Sequence, residues 1–342
     1  MRRSTAIWLS VASALIILGI IFLGGAMSMK DWSFKDIGTV SYETHEYSAE
    51  GEYKNISIKN DAADVELLLS DDGKTNVVCR NIQKVTYNVT VKDDTLIIEE
   101  NDGRKWYEKI QIGIIIEPAK IKVYLPCDEY GSLVIKGSTG DVNIPKDISF
   151  GSIDIAQTTG DVKNYASAKD IKIVCTTGQV KNYASADNIK IASTTGNITV
   201  QGIETQNMEL SATTGKIKAT DVTCRDDIKI DVTTGKCELD GVTCTGLDSK
   251  GDTGSIHMKD LIASEKITVK RDTGDVRFED CDASEIYVKT DTGDITGSFL
   301  TDKVCYARSE TGREDVPKLT AGGKCEMISD TGDIKVEIKK KG

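Results

Sequence analysis

Proline, histidine and aromatic side chains are scarce in this 342-residue chain, which has 4 Pro, 2 His and 6% Phe, Trp and Tyr combined. Two imidazoles, His45 and His257, leave little for histidine catalysis, and each reads as a solvated side chain. The low aromatic content argues against a sugar-stacking groove, and Trp8, Trp32 and Trp106 all lie outside the repeats described below. Basic residues are outnumbered, 43 Lys and Arg against 54 Asp and Glu, for a formal charge of −11. A nucleic-acid partner, which demands a basic footprint, is thereby excluded. There is no Cys-x-x-Cys for zinc, no Gly-x-Ser-x-Gly elbow and no phosphate- or dinucleotide-binding glycine loop. With 30 Gly the chain is far from a collagen, and its 39% hydrophobic content is too high for a disordered tail.

One long hydrophobic run is present. Residues 6–27 carry no charge, follow Met1-Arg2-Arg3 and precede Lys30 and Asp31. At about 1.5 Å per residue the run matches a bilayer core of roughly 30 Å, and the two arginines favour a cytoplasmic N-terminus. The expectation is a cell-membrane protein with a cytoplasmic tail (1–5), a single transmembrane helix (6–27) and everything beyond Lys30 extracytoplasmic. A cleaved signal peptide is the alternative, since Gly24-Gly25-Ala26 offers small residues for cleavage.

Self-similarity governs the rest. Thr-Gly recurs at Gly140, Gly160, Gly178, Gly196, Gly215, Gly235, Gly254, Gly274, Gly293, Gly312 and Gly332, 18 to 20 residues apart. Seven and five residues before the Gly sit apolar pairs such as Ile153 and Ile155 or Ile171 and Ile173; two and four after it sit pairs such as Ile198 and Val200. Both segments alternate with period two, so each unit reads as two short strands bent at Thr-Gly. Such a unit closes a core only by stacking on its neighbours. The fold expected is all-β, a parallel β-solenoid of about eleven coils, each about 4.8 Å from the next. The Gly suits a tight corner. The Thr before it is expected to point inward, its hydroxyls forming a ladder that satisfies corner backbone groups.

Residues 28–45 read as a stalk, 46–130 as an irregular N-terminal β cap and 131–342 as the solenoid. Within the cap, Ile56 to Leu67 looks like a degenerate coil with Ala62-Ala63 in place of Thr-Gly, Asp93-Asp94 looks like a hairpin turn, and Ile110 to Pro126 adds two strands. Lys339, Lys340 and Lys341 after the last strand are expected to guard the array's open edge.

Nine cysteines in an exported chain raise the question of disulfides. Most fall on repeat positions that Ile, Val or Leu fill elsewhere, so they read as small buried hydrophobes. Two pairs, Cys224 with Cys244 and Cys305 with Cys325, lie in register on adjacent coils, within the Cα separation a disulfide tolerates.

Asp-Thr-Gly at Asp252, Asp272, Asp291 and Asp330 matches the aspartic-protease triplet in letters only, since these are variants of the Thr-Thr-Gly corner. A calcium site is a stronger rival: Asp272 with Asp275, Asp291 with Asp294, and Asp330 with Asp333 flank stacked corners, and Ca²⁺ wants clustered oxygens. Yet Lys250, Lys270, Lys289 and Arg308 sit two residues before Asp252, Asp272, Asp291 and Glu310, and a paired charge stripe explains the pattern without metal. No catalytic residue and no cofactor is expected.

The N-terminal anchor, the Ala-Asp-Val-Glu-Leu segment from Ala63 to Leu67, the Val-Tyr-Leu-Pro segment from Val123 to Pro126 and the repeated corners together resemble the bacterial candidate-adhesin family, the domain of unknown function numbered 4097. The resemblance covers roughly Tyr47 to Lys339 and implies surface-exposed β-strand repeats without catalytic residues. The function expected is a membrane-anchored binding or scaffolding rod whose partner is a cell-wall polymer, a host glycan or a surface protein. An accessory role in cell-envelope stress signalling and a polysaccharide-acting β-helix enzyme are the alternatives.

Overall fold

The computed structural model describes residues 12, 15–19, 21, 42–105 and 118–339. Of the apolar run, the described residues are helical, and Leu15, Ile16, Ile17, Leu18 and Ile21 are exposed. Among the described residues no helix is long and apolar enough to cross a membrane. The expected spanning helix and the tail before it lie almost wholly outside the described residues, and the structure does not supply that helix.

The described remainder is a parallel β-solenoid. The strands before each corner, such as Ser149–Thr159, Ala168–Thr177 and Ala186–Thr195, pair in register to form one sheet. The strands after each corner, such as Val162–Asn164 and Val180–Asn182, form a second. Period-two alternation points Ile153, Ile155, Ile171 and Ile173 from the first sheet, and Val162 and Val180 from the second, into one dry interior. Each fully buried side chain contributes about 1.5–3 kcal/mol relative to exposure. Where the duplicated Lys-Asn-Tyr-Ala-Ser turns bring Asn164 and Asn182 inside, the amides satisfy each other. Asn164 Nδ2 donates to Asn182 Oδ1 at 2.8 Å, and Asn182 Nδ2 to the Ala184 carbonyl at 2.8 Å.

The corners explain their glycines. Gly235 has φ +147°, and a Cβ there would collide with the Gly215 carbonyl of the neighbouring rung. The Thr before each Gly does not point inward as expected: Thr159, Thr177, Thr195 and the other eight are exposed. The reason is parity. Gln157 and Val162 both face the interior although five residues apart, so the corner must absorb one step of alternation, and it does so by turning Thr158 and Thr159 both outward. The ladder that serves the corner carbonyls lies two residues before that Thr. Gln157 Nε2 donates to the Gly140 carbonyl (2.6 Å), Cys175 Sγ to Gly160 (3.4 Å), Thr290 Oγ1 to Gly274 (3.2 Å) and Ser329 Oγ to Gly293 (3.0 Å).

Rung order departs from chain order at the C-terminal end. The strand Glu285–Thr292 pairs with Gly323–Thr331, not with Lys303–Thr311, and Lys303–Thr311 pairs with the far side of Gly323–Thr331. The C-terminal rung is therefore inserted between two earlier ones, and the rung with corner Gly312 is outermost. Composition explains this. Glu314 and Val316 occupy the slots that Ile334 and Val336 fill in the inserted rung, and Glu314 is exposed. A rung with Glu in an interior slot suits only an end. Lys339 thus follows a strand that is not the edge, Lys340 and Lys341 lie outside the described residues, and the end is crossed instead by the segment bridging Val304 to Lys318.

At the other end, the strand Asn55–Leu69 forms the first rung. Ala62 stands opposite Thr139, and the strand pairs in parallel with Glu129–Thr139 and Val142–Ile144. Its other side pairs with Thr95–Asp102 and Ala119–Leu125. Antiparallel strands finish the stack: Val85–Lys92 folds back on Thr95–Asp102 at Asp93 and Asp94, both at positive φ as a type I′ turn requires. Thr75–Ile82 pairs with Ala119–Leu125, and Tyr42–Ala49 lies outside it, so residues 42–45 are strand rather than stalk. Of the two strands expected in Ile110 to Pro126, Ala119–Leu125 is present and the earlier one lies outside the described residues.

Candidate functional site

The carboxylates flanking the corners are committed to backbone. Asp275 Oδ1 accepts the Asp294 N–H at 3.0 Å, Asp294 Oδ1 the Asp333 N–H at 2.7 Å, and Asp333 Oδ1 the Arg313 N–H at 2.8 Å. Asp141 and Asp161 do the same near the start, at 2.8 Å each. At the C-terminal end this column follows the true rung order, tying the rungs of Asp275, Asp294, Asp333 and Arg313 in succession. Asp272 and Asp291 are exposed across the corner, and Asp330 is half-buried. Lys289 pairs with Asp291 at 3.2 Å and Arg308 with Glu310 at 3.4 Å, whereas Lys250 turns to Asp248 (3.4 Å) and Lys270 lies over the Tyr287 ring. Among the described residues no group of three His, Cys, Asp or Glu side chains is placed to hold a metal ion.

All nine cysteines are free thiols, seven of them buried. Burial pushes the Cys79, Cys237 and Cys244 thiols up to about 12. His45 and His257 sit half-exposed beside Glu43 (3.5 Å) and Glu279 (3.4 Å), on different parts of the molecule.

The surface feature that sequence reasoning missed is a groove of about 400 Å³ on the outer face of the first sheet. Two columns form its walls, Asp170, Asn188, Asn207 and Asp227 on one side and Lys172, Lys190, Glu209 and Lys229 on the other. Strand geometry sets this: residues two apart on one strand share a face, and residues in register on stacked rungs share a column. Asn188 Nδ2 donates to Asp170 Oδ1 at 2.7 Å, Asn207 Nδ2 to Asn188 Oδ1 at 3.2 Å, and Lys190 pairs with Glu209 at 2.9 Å. Three lysines against three carboxylates leave the groove neutral in a chain of charge −11. The legible signal was the outward residue one place before the first apolar residue of successive repeats, which reads Asp, Asn, Asn, Asp.

A second groove, about 540 Å³, lies on the cap beside Arg80, Lys120, Lys122 and Tyr124. Its cations are engaged: Arg80 lies over the Tyr42 ring, and Lys120 and Lys122 reach Glu66 at 4.0 and 3.9 Å.

Among solved structures, the chain is similar to a candidate lipid-binding protein from Parabacteroides distasonis, with 19% identity over 76% of this chain and 98% of that one and a TM-score of 0.45. It is similar also to candidate adhesins from Parabacteroides merdae (13% identity, 76% and 97% covered, TM-score 0.47) and Bacteroides fragilis (14%, 87% and 97%, 0.37). No curated protein matches the chain. The family is settled by sequence: a family model matches residues 53–337, and the chain belongs to the Toastrack family, DUF4097.

Proposed function

We propose that the chain is a membrane-anchored, extracytoplasmic binding rod that holds an extended, uncharged wall polysaccharide along the outer face of its first sheet, without chemical turnover. The observation that carries this reading is the neutral groove. An extended polymer laid along the rod meets the same pair of columns once per rung, about every 4.8 Å, so modest contacts repeat. Asn188 and Asn207 still have amide hydrogens to give, and Lys172 and Lys229 add donors, which suits hydroxyl and acetamido groups. Electroneutrality favours an uncharged chain over a polyphosphate. The uncharged run at 6–27, whose described residues are helical with bare apolar side chains, supports the anchor.

Calorimetry of the full-length chain with purified wall polysaccharide tests this. Saturable binding that weakens at least tenfold in the Asn188→Ala, Asn207→Ala double variant is expected, since two lost hydrogen bonds cost about 2 kcal/mol. Binding unchanged by the double variant, or release of shortened polysaccharide, would overturn it.

A further inference from the structure

We propose that Cys305 and Cys325 are a redox pair whose disulfide fastens the outermost rung of the rod to the rung inserted beneath it. The two residues stand directly opposite each other in the parallel pairing of Lys303–Thr311 with Gly323–Thr331. Neighbouring strands lie about 4.8 Å apart, inside the Cα separation a disulfide accepts, and the Cβ atoms need to close by about 1 Å to reach the usual disulfide separation. An interior rung, held on both sides, resists that movement. The outermost rung has a full strand partner on one side only, and the other side is met at the single Val304–Lys318 bridge.

The end rung needs such a fastening. Its inward-facing Cys305, Ala307 and Ser309 are only half-buried, whereas Cys325, Met327 and Ser329 directly beneath are fully buried. The same half-burial gives an oxidant access to the Cys305 sulfur. The neighbouring Cys325 thiol and the charge of Lys303 hold Cys305 below the ordinary thiol range, and the Cys305 Sγ donates to the Lys303 carbonyl at 3.8 Å; the buried Cys325 is raised. One half-buried thiol held below the ordinary range beside one buried thiol held above it is the arrangement that thiol–disulfide exchange uses. Cys224 and Cys244 lack it. Both are buried, their thiols pushed up to about 11 and about 12, and Cys224 Sγ donates to the Gln206 carbonyl at 3.1 Å.

The oxidant is a small-molecule or protein disulfide, and only its supply in the cell rests on the extracytoplasmic reading above. The Cys305 thiolate attacks one sulfur of that disulfide, forming a mixed disulfide and expelling one thiolate. Cys325 then gives up its proton to the solvent and attacks the Cys305 sulfur, expelling the second thiolate. One new S–S bond is formed, the oxidant's S–S bond is broken, and two protons end on the two released thiols.

The full-length chain, equilibrated with oxidised glutathione, alkylated and digested with trypsin, tests this directly. Peptide Val304–Arg308 joined to Cys325–Lys335, two hydrogens lighter than the sum and reversed by dithiothreitol, is the expected product. Oxidation is further expected to slow tryptic cleavage at Arg313 and Lys318 at least tenfold in the parent and not in Cys305→Ser. Absence of the joined peptide in excess oxidised glutathione, its appearance only after denaturation, or equal yield of a Cys224–Cys244 cross-link would overturn the proposal. Because the first readout uses the unaltered chain, it does not depend on the variant folding.

Discussion

Lys303 reaches across an entire rung to Asp282. Its ammonium is buried, donates to the Asp282 carboxylate and to Thr301, and its stem runs over Gly323, the residue of the inserted rung that lies between Ser284 and Lys303. A side chain at 323 would block that path, so the glycine and the lysine are matched. The pair holds the outermost rung against the second rung below it and so fixes the non-sequential order of the end.

Removing one partner strands the other. Lys303→Met is expected to cost about 3 kcal/mol. Because rungs contact only their neighbours, the loss should be confined to the end. Hydrogen exchange should show residues 303–322 losing protection at least a hundredfold while Ile171, Ile189 and their neighbours stay unchanged.

The glycines at positive φ divide into two kinds, the Thr-Gly corners and isolated positions such as Gly202 within Ile198–Thr214. Gly235→Ala combines positive φ with collision against the Gly215 carbonyl and is expected to cost about 3 kcal/mol or more. Gly202→Ala, at φ +64° with open space around it, should cost about 1 kcal/mol. Urea unfolding of the two variants measures the difference, and equal costs would mean that rung-to-rung approach is not what the corner requires.

Asp294 accepts a backbone N–H, a task an amide oxygen performs as well. Asp294→Asn should leave the melting temperature within a degree or two of the parent, and Asp294→Ala should lower stability by about 1 kcal/mol. Millimolar Ca²⁺ should shift neither. A calcium-dependent rise abolished by Asp294→Asn would return these carboxylates to a cation site.

Thiol reactivity should follow burial. A raised pKa means less thiolate at a given pH, so at pH 8 Cys127, which is exposed, should alkylate at least a hundredfold faster than Cys79, Cys237 or Cys244. Mass spectrometry of a timed iodoacetamide reaction reads this, and fast labelling of Cys237 in the folded chain would show that the interior opens.

The period of Thr-Gly and the alternation around it made the solenoid legible, because stacking demands the same residue type at the same place in every rung. Thr159 was misplaced because alternation was carried through the corner, where the backbone drops one step of it. The rung swap was invisible to spacing, since Gly293, Gly312 and Gly332 are evenly separated whichever rung lies outermost; only Glu314 in an apolar slot marked the end. The groove went unread for a different reason. Asn188 and Asn207 acquire meaning only when rungs are stacked and columns, not segments, are compared.

Hydrogen exchange of the full-length chain, with and without saturating wall polysaccharide, is the most direct measurement of the binding reading. The expected result is added protection concentrated in Ala168–Thr177, Ala186–Thr195 and the second half of Ile198–Thr214, the strands that carry the neutral groove. Protection confined to the cap around Arg80 and Lys120, or none anywhere, would contradict it.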